Sequence, residues 1–451
     1  MIITNQLEYD NLIQYITTEQ NIILIPIFEN TTLHYNKNNL LLTYIGILDL
    51  NWNIKKEYII NINHYDLEFR INDLEFLQNK NLYVINKKQV LTHIPTSNKI
   101  YDINLLSYLF NVNFIELKYS EFVDFNLQTN HKLYYLITPI VLHVKYLQLL
   151  STQLQLILNV YNNELNNKTY ILYNEEIIPT LYYIESSGLY INTELFLQQY
   201  NSKIKKHLIS NEDNILYSEY NLYTSTGRPS NKYGSINFSA LSKKDNTREM
   251  FISRYKNEGQ LIELDYSAYH LTILCNLLDY KFPTINKNMH EYLGKQYFNT
   301  DILTTEQYKQ TKELNFKYLY GKIPTEYLEI PFFKLVNEFT NQLYLYFLKH
   351  GYIISPITKR KLILSKKYNS TKVLNYFLQL LETEITILNI QKLIEFIQEK
   401  QINIVLYTYD SILLDIHSSE LLYINKMKSI LEDNHKYNIT IKSGDNYLNI
   451  H

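Results

Sequence analysis

Two apolar, strand-like runs that each end in a carboxylate constrain this chain more than any other feature: Leu261-Ile-Glu-Leu-Asp265-Tyr-Ser267 and Ile404-Val-Leu-Tyr-Thr-Tyr-Asp410-Ser411. Two strands that bring aspartates from distant parts of a chain suit a shared cation site. Between them, Lys312-Glu-Leu-Asn-Phe316-Lys-Tyr-Leu-Tyr320-Gly321 repeats Lys312, Phe316 and Tyr320 every four residues, so all three share one helical face. Each piece also has an ordinary reading. A strand-end Asp commonly caps a turn or meets solvent. An aromatic stripe commonly packs into a core, with Gly321 as a left-handed helix terminator. The order of carboxylate, cationic helix and carboxylate, with the segments around it, favours the chemical reading.

Composition bounds the possibilities. At 451 residues the chain has room for two or more domains and a substantial core. Abundant Asn, Ile, Lys and Tyr, with only 9 Gly and 9 Pro, point to an AT-rich coding sequence. The single Cys275 excludes an internal disulfide and a cysteine-built zinc site, and the histidines show no zinc spacing. The acidic start, with Glu8 and Asp10, has no signal or transit character, and the apolar run Leu133 to Leu150 is broken by His143 and Lys145. A cytoplasmic protein with no membrane partner is therefore expected. The net charge of −2 hides a strong asymmetry: residues 349–372 carry seven Lys or Arg and no acid, and residues 201–256 carry ten basic against five acidic side chains. Such stretches suit phosphate backbones, with salt-dependent binding by counter-ion release.

Several segments then resemble the polymerase I-type, family A DNA polymerases. Thr224-Ser-Thr-Gly227-Arg228-Pro-Ser is similar to that family's T-x-T-G-R-x-S, and Thr247-Arg248-Glu-Met-Phe251-Ile252 to its R-x-x-F-I. Asp265-Tyr-Ser resembles motif A, and Lys312, Phe316, Tyr320 and Gly321 resemble motif B. Gly351 to Arg360 resembles the family's G-Y-x-x-T-x-x-G-R-R hairpin, Asn375-Tyr-Phe-Leu-Gln379 its N-x-x-x-Q helix, and Ile441 to His451 its last strand and tail. Asp410 stands at the aspartate of motif C.

The resemblance implies an α+β multidomain fold: a right-hand polymerase, with an antiparallel palm sheet, helical fingers and a short thumb, preceded by an α/β exonuclease-like (RNase H-like) domain. The expected boundaries are 1–174 for that first domain and 175–451 for the polymerase, with a thumb stub at about 190–225, palm at 226–280 and 373–451, and fingers at about 281–372. Only 40 residues separate Gly188 from Arg228, hence the stub and an expected dependence on a processivity partner. The implied site holds two Mg²⁺, with Mn²⁺ as a substitute, on Asp265, Asp410 and the Tyr266 carbonyl, with Lys312 as a further catalytic group. Lys312, Phe316, Tyr320, His270 and Lys309 meet the dNTP. Arg228, Arg248, Asn375, Gln379, Tyr409, Lys359 and Arg360 meet primer-template DNA.

Departures accompany the matches. His270 replaces the motif A glutamate that helps exclude a ribose 2′-hydroxyl, Tyr308 replaces the motif B arginine with Lys309 beside it, and Tyr409 and Ser411 replace the histidine and glutamate around Asp410. In the first domain, Asn21 to Glu29 and Leu41 to Leu48 read as strands and Ile100 to Leu109 as a helix. Pro26-Ile27-Phe28 stands where an active exonuclease carries Asp-x-Glu, with Glu29 just beyond. Val90 replaces a second aspartate, and no Tyr-x-x-x-Asp occurs between 130 and 150. A two-metal nuclease needs those carboxylates, so an inactive domain is expected. The expectation is thus a compact, phage-like DNA-directed DNA polymerase. Alternatives are a ribonucleotide-using or primer-making polymerase, suggested by His270 and Asp410-Ser411, and a non-catalytic DNA-binding relative.

Overall fold

The computed structural model describes residues 1–3, 5–28, 34, 40–61, 74, 76–94, 97–111, 113–118, 138–199, 214–231, 236–241, 246–281 and 288–450. Glu29 and residues 200–213 of the expected thumb stub lie outside them. The chain divides into two compact units, Met1–Pro179 and Thr180–His451.

A six-stranded mixed sheet forms the first unit, from β1 (Ile2–Ile3), β2 (Asn21–Phe28), β3 (Leu40–Leu48), β4 (Ile54–Asn61), β5 (Asn81–Val84) and β6 (Lys99–Asp102), in the order β1-β4-β3-β2-β5-β6. β2, β3 and β4 pair antiparallel, whereas β5 joins β2 and β6 joins β5 in parallel. β2 is apolar without alternation because it is buried on both faces, Ile22 through Phe28 all lying inside. Its helices are α1 (Gln6–Thr17), α2 (Lys87–Leu91), α3 (Ile103–Phe110), α4 (Thr138–Tyr161) and α5 (Lys168–Leu172). The helix expected from Ile100 starts three residues later. Lys99–Asp102 pair with β5 instead, and Asp102 ends the strand by capping α3, its carboxylate accepting from the Leu105 and Lys87 backbone N–H groups.

The second unit opens in α6 (Ile178–Ser187) and passes through two short ribbons, β7 (Leu189–Tyr190) with β8 (Ile215–Leu216) and β9 (Tyr220–Asn221) with β10 (Ser230–Asn231), with α7 (Thr193–Gln199) after β7. It continues as β11 (Gly259–Tyr266), α8 (Tyr269–Leu277), α9 (Met289–Phe298), α10 (Thr305–Tyr320), α11 (Pro331–His350), the hairpin β12 (Tyr352–Ile354) and β13 (Lys361–Ile363), α12 (Ser370–Ile397), β14 (Ile402–Tyr407), β15 (Ser411–His417), α13 (Ile424–Leu431) and β16 (Ile439–Gly444). β14, β15, β11 and β16 form one antiparallel sheet in that order.

Alternation on β11 turns Ile262, Leu264 and Tyr266 to one face, where Tyr266 stacks on Tyr269 of α8, and Glu263 and Asp265 to the other. α8 and α10 both pack against α12. Cys275 of α8 is buried with its Sγ 3.6 Å from Met289 Sδ, and burial pushes its thiol up to about 12. Among the described residues, no helix is long and apolar enough to cross a membrane.

Candidate active site

The sheet brings the two aspartates together. Asp265 pairs across the ladder with Ser411, and the Tyr266 backbone N–H donates to the Asp410 carbonyl at 2.8 Å, so the two acids sit at the ends of neighbouring strands. Asp410 is aimed by a tight turn between β14 and β15. Its own N–H donates to the Thr408 carbonyl at 3.0 Å, which forces Tyr409 to φ +72°, a costly conformation for an aromatic residue. Arg228 helps hold that turn, with its guanidinium 3.8 Å from the Tyr409 ring centroid. Ala268 at φ +50°, at the start of α8, is a second left-handed residue beside the acids.

The Asp410 carboxylate reaches solvent at the mouth of a cleft but has protein around most of it. Burial first, then the charges of Glu382 and Asp265, push it up to about 6, against a smaller downward pull from Arg228. Asp265 is engaged by Lys442 on β16, whose Nζ lies 2.6 Å from Asp265 Oδ2 and 3.2 Å from Glu263 Oε2. Burial draws that ammonium down, but its bonds to the two carboxylates outweigh burial and hold it above its ordinary value.

A cavity of about 350 Å³ opens beside Asp410, lined by Arg228, His270, Phe316, Tyr320, Asn375, Gln379 and Glu382, among others. One open face of α10 supplies its aromatic wall. Thr304 and Gln307 form a capping box that starts the helix, and Thr311, Asn315, Tyr318 and Leu319 bury its other side. Lys312, Phe316 and Tyr320 therefore stay exposed, with the Phe316 and Tyr320 rings stacked 6.0 Å apart. This overturns the ordinary core reading of the stripe. Gly321 is not left-handed either, having φ −117°; a side chain there would meet the Lys317 carbonyl at 2.6 Å.

Lys312 and Lys309 do not line the cavity: the Lys312 ammonium rests 4.8 Å from the Tyr308 ring centroid, and Lys309 is exposed. Asn375 and Gln379 are joined by a 3.1 Å bond on α12. Arg248 lies elsewhere, donating to the Leu241 carbonyl with its guanidinium 4.5 Å from the Tyr447 ring centroid. Of the hairpin pair, Lys359 is exposed, whereas Arg360, expected at DNA, is only 4% exposed, because its guanidinium packs against Gly227.

The comparisons bear on this arrangement. Across 98% of both chains, the structure is similar to the solved POL domain of Pol1 from M. smegmatis in complex with DNA primer-template and dNTP, with a TM-score of 0.71 at 13% identity. The fold is that of a DNA polymerase domain. Neither a protein-family model nor a curated protein matches the chain.

In polymerase terms, β14-β15-β11-β16 is the palm sheet. Among the described residues no three His, Cys, Asp or Glu side chains cluster as metal ligands. Two adjacent carboxylates, one of them raised first by burial and then by neighbouring negative charge, suit a hard divalent cation, to which backbone carbonyl and water could add ligands. Glu382, Lys442, His290 and Asn315 are site residues that the sequence reading missed. Glu382 carried a signal, lying seven residues after Asn375 and three after Gln379, on the same face of α12.

Proposed function

We propose that the second unit is a template-directed DNA polymerase that extends a primer 3′ end with deoxynucleotides, and that the first unit is a structural, exonuclease-like domain without nuclease chemistry. The observation that carries this is the cavity itself. Residues from five separate segments, each marked by its own sequence pattern, line one cleft: Arg228, His270, Phe316 with Tyr320, Asn375 with Gln379, and Asp410.

Divalent cations, Mg²⁺ by preference and Mn²⁺ as a substitute, would rest on Asp265, Asp410 and the Tyr266 carbonyl, where they would supply Lewis-acid activation of the primer hydroxyl and neutralise phosphate charge. The protein's own groups do the rest. Lys312, exposed on α10, swings from Tyr308 to meet the triphosphate and stabilises charge growing on the leaving pyrophosphate. The Phe316 and Tyr320 rings form a stacking platform for the nucleotide, worth about 1–3 kcal/mol per base. Arg228, Asn375 and Gln379 face the primer-template pair, while Lys359 and the other lysines of the β12–β13 hairpin meet phosphates. The short thumb calls for a processivity partner. In the first unit, Pro26, Phe28 and Val90 are buried apolar residues at the positions of missing carboxylates, which supports reading it as a domain without nuclease chemistry.

Primer extension on a DNA template with Mg²⁺ and dNTPs tests both parts. Extension is expected for the parent and abolished in Asp265→Ala and Asp410→Ala, and an end-labelled primer incubated without nucleotides should stay intact. Absence of extension by the parent despite primer-template binding would leave a non-catalytic DNA-binding protein instead, and primer shortening would restore a nuclease to the first unit.

A further inference from the structure

One of the two strand-end aspartates already has a cation beside it. Strand alternation turns Glu263 and Asp265 of β11 to the same face, and the β11–β16 register sets Lys442 directly across from Glu263 and diagonal to Asp265, which pairs with Thr440. The Lys442 ammonium bridges both acids, 2.6 Å from Asp265 Oδ2 and 3.2 Å from Glu263 Oε2. Glu263 has a second partner, its Oε1 accepting from Ser411 Oγ at 3.4 Å. A lysine is thus built into the sheet at an acid that a divalent cation needs, and its shorter contact is with that acid.

Charge and geometry state the consequence. A hard divalent cation binds carboxylate oxygens, and the charge-assisted bond from Lys442 takes one oxygen of Asp265 out of that set. The ammonium also repels a second positive charge at close range. Its flexible four-carbon stem lets the head leave Asp265 while β16 stays in place. Glu263 gives the head somewhere to go, since it can remain paired there while Asp265 Oδ2 is freed. The three side chains keep 21–32% of their surface exposed, so the exchange requires no opening of the core.

On the reading that Asp265 and Asp410 hold divalent cations, we propose that Lys442 is a resident counter-ion of Asp265 that an entering cation must displace onto Glu263. Lys442 is then a positioning residue, acting through Asp265 and not on the nucleotide. The free enzyme holds metal weakly as a result, and cation entry is coupled to the release of a lysine that Glu263 retains.

Mn²⁺ binding, read by electron paramagnetic resonance on the full chain without DNA or nucleotide, tests this. The proteins compared are the parent, Lys442→Met, Glu263→Gln, the two combined, Asp410→Asn, and Asp265→Asn with and without Lys442→Met, each with a thermal melt. Lys442→Met is expected to bind Mn²⁺ about tenfold more tightly than the parent, and that gain should vanish in the Asp265→Asn background, because the lysine competes for that carboxylate. Glu263→Gln, which removes the lysine's other partner, should weaken binding in the parent and much less in Lys442→Met. Unchanged or weaker binding by Lys442→Met overturns the proposal. So does an equal gain in the Asp265→Asn background, which would make the lysine a distant charge only, or an equal loss from Glu263→Gln in both backgrounds, which would make Glu263 a ligand in its own right. If Lys442→Met does not fold, Glu263→Gln decides alone, and tighter or unchanged binding by it overturns the displacement. Binding that needs both aspartates but ignores Lys442 removes this inference and leaves the cation site standing. Binding untouched by either aspartate substitution overturns the cation reading and this inference together.

Discussion

Asp410 shows how one residue carries both the cost and the chemistry of this site. An ordinary aspartate titrates at 3.8, whereas burial and the charges of Glu382 and Asp265 lift this one to about 6. Between those values the native state keeps a proton that the unfolded chain has released, so the contribution of this group to stability falls as pH rises and stays low above about 6. Asp410→Asn should therefore stabilise the protein at pH 8 by about 1 kcal/mol, a figure reduced because the carboxylate reaches solvent. The gain should vanish near pH 4. Urea denaturation at the two pH values reads it, and a variant less stable than the parent at pH 8 would contradict the electrostatic account. The aspartates were legible in sequence because each closes an apolar run. Lys442 was not, since its partners Asp265 and Glu263 come from a strand 179 residues away in sequence at the farther one, and only the β11–β16 register joins them.

Among elements, α10 was read correctly in period and face, because four-residue recurrence survives whatever packs on the opposite side. What the pattern alone left open was which side is buried. Thr311, Asn315, Tyr318 and Leu319 decide it, and only Leu319 and Tyr318 look like core residues by type. The first-unit helix was placed too early because Ile100 and Tyr101 suit strand and helix patterns alike, and β5 pairing decides between them. The segment that positions Arg228 depends on its glycine in a measurable way. Gly227 has φ +77°, and a side chain there would collide with Arg360 Nη1; Gly351 has the same φ with nothing within 4 Å. Gly227→Ala should cost about 2–3 kcal/mol and Gly351→Ala about 1 kcal/mol, since only the first adds displacement of a buried guanidinium to backbone strain. Paired thermal melts compare them, and equal losses would mean that backbone conformation alone matters.

At the scale of the whole molecule, carboxylates of the two units sit in different surroundings. Asp102 of the first unit holds backbone in place, whereas Asp410 of the second lines a cleft and Asp265 beside it is held by Lys442. The net charge of −2 gives no sign of this, because it averages over the basic stretch 349–372, whose Arg360 packs against the glycine preceding Arg228 of the cleft. Cys275 gives the molecule an internal clock. Its thiol, raised to about 12 and pressed against Met289 from the same helix that carries His270, has almost no thiolate to offer while the unit is closed. Alkylation by iodoacetamide should therefore proceed only through opening, at a rate that tracks denaturant like global unfolding and not like a surface fluctuation. As the chain holds no other cysteine, one mass shift would time how often the interior beneath α8 is laid open.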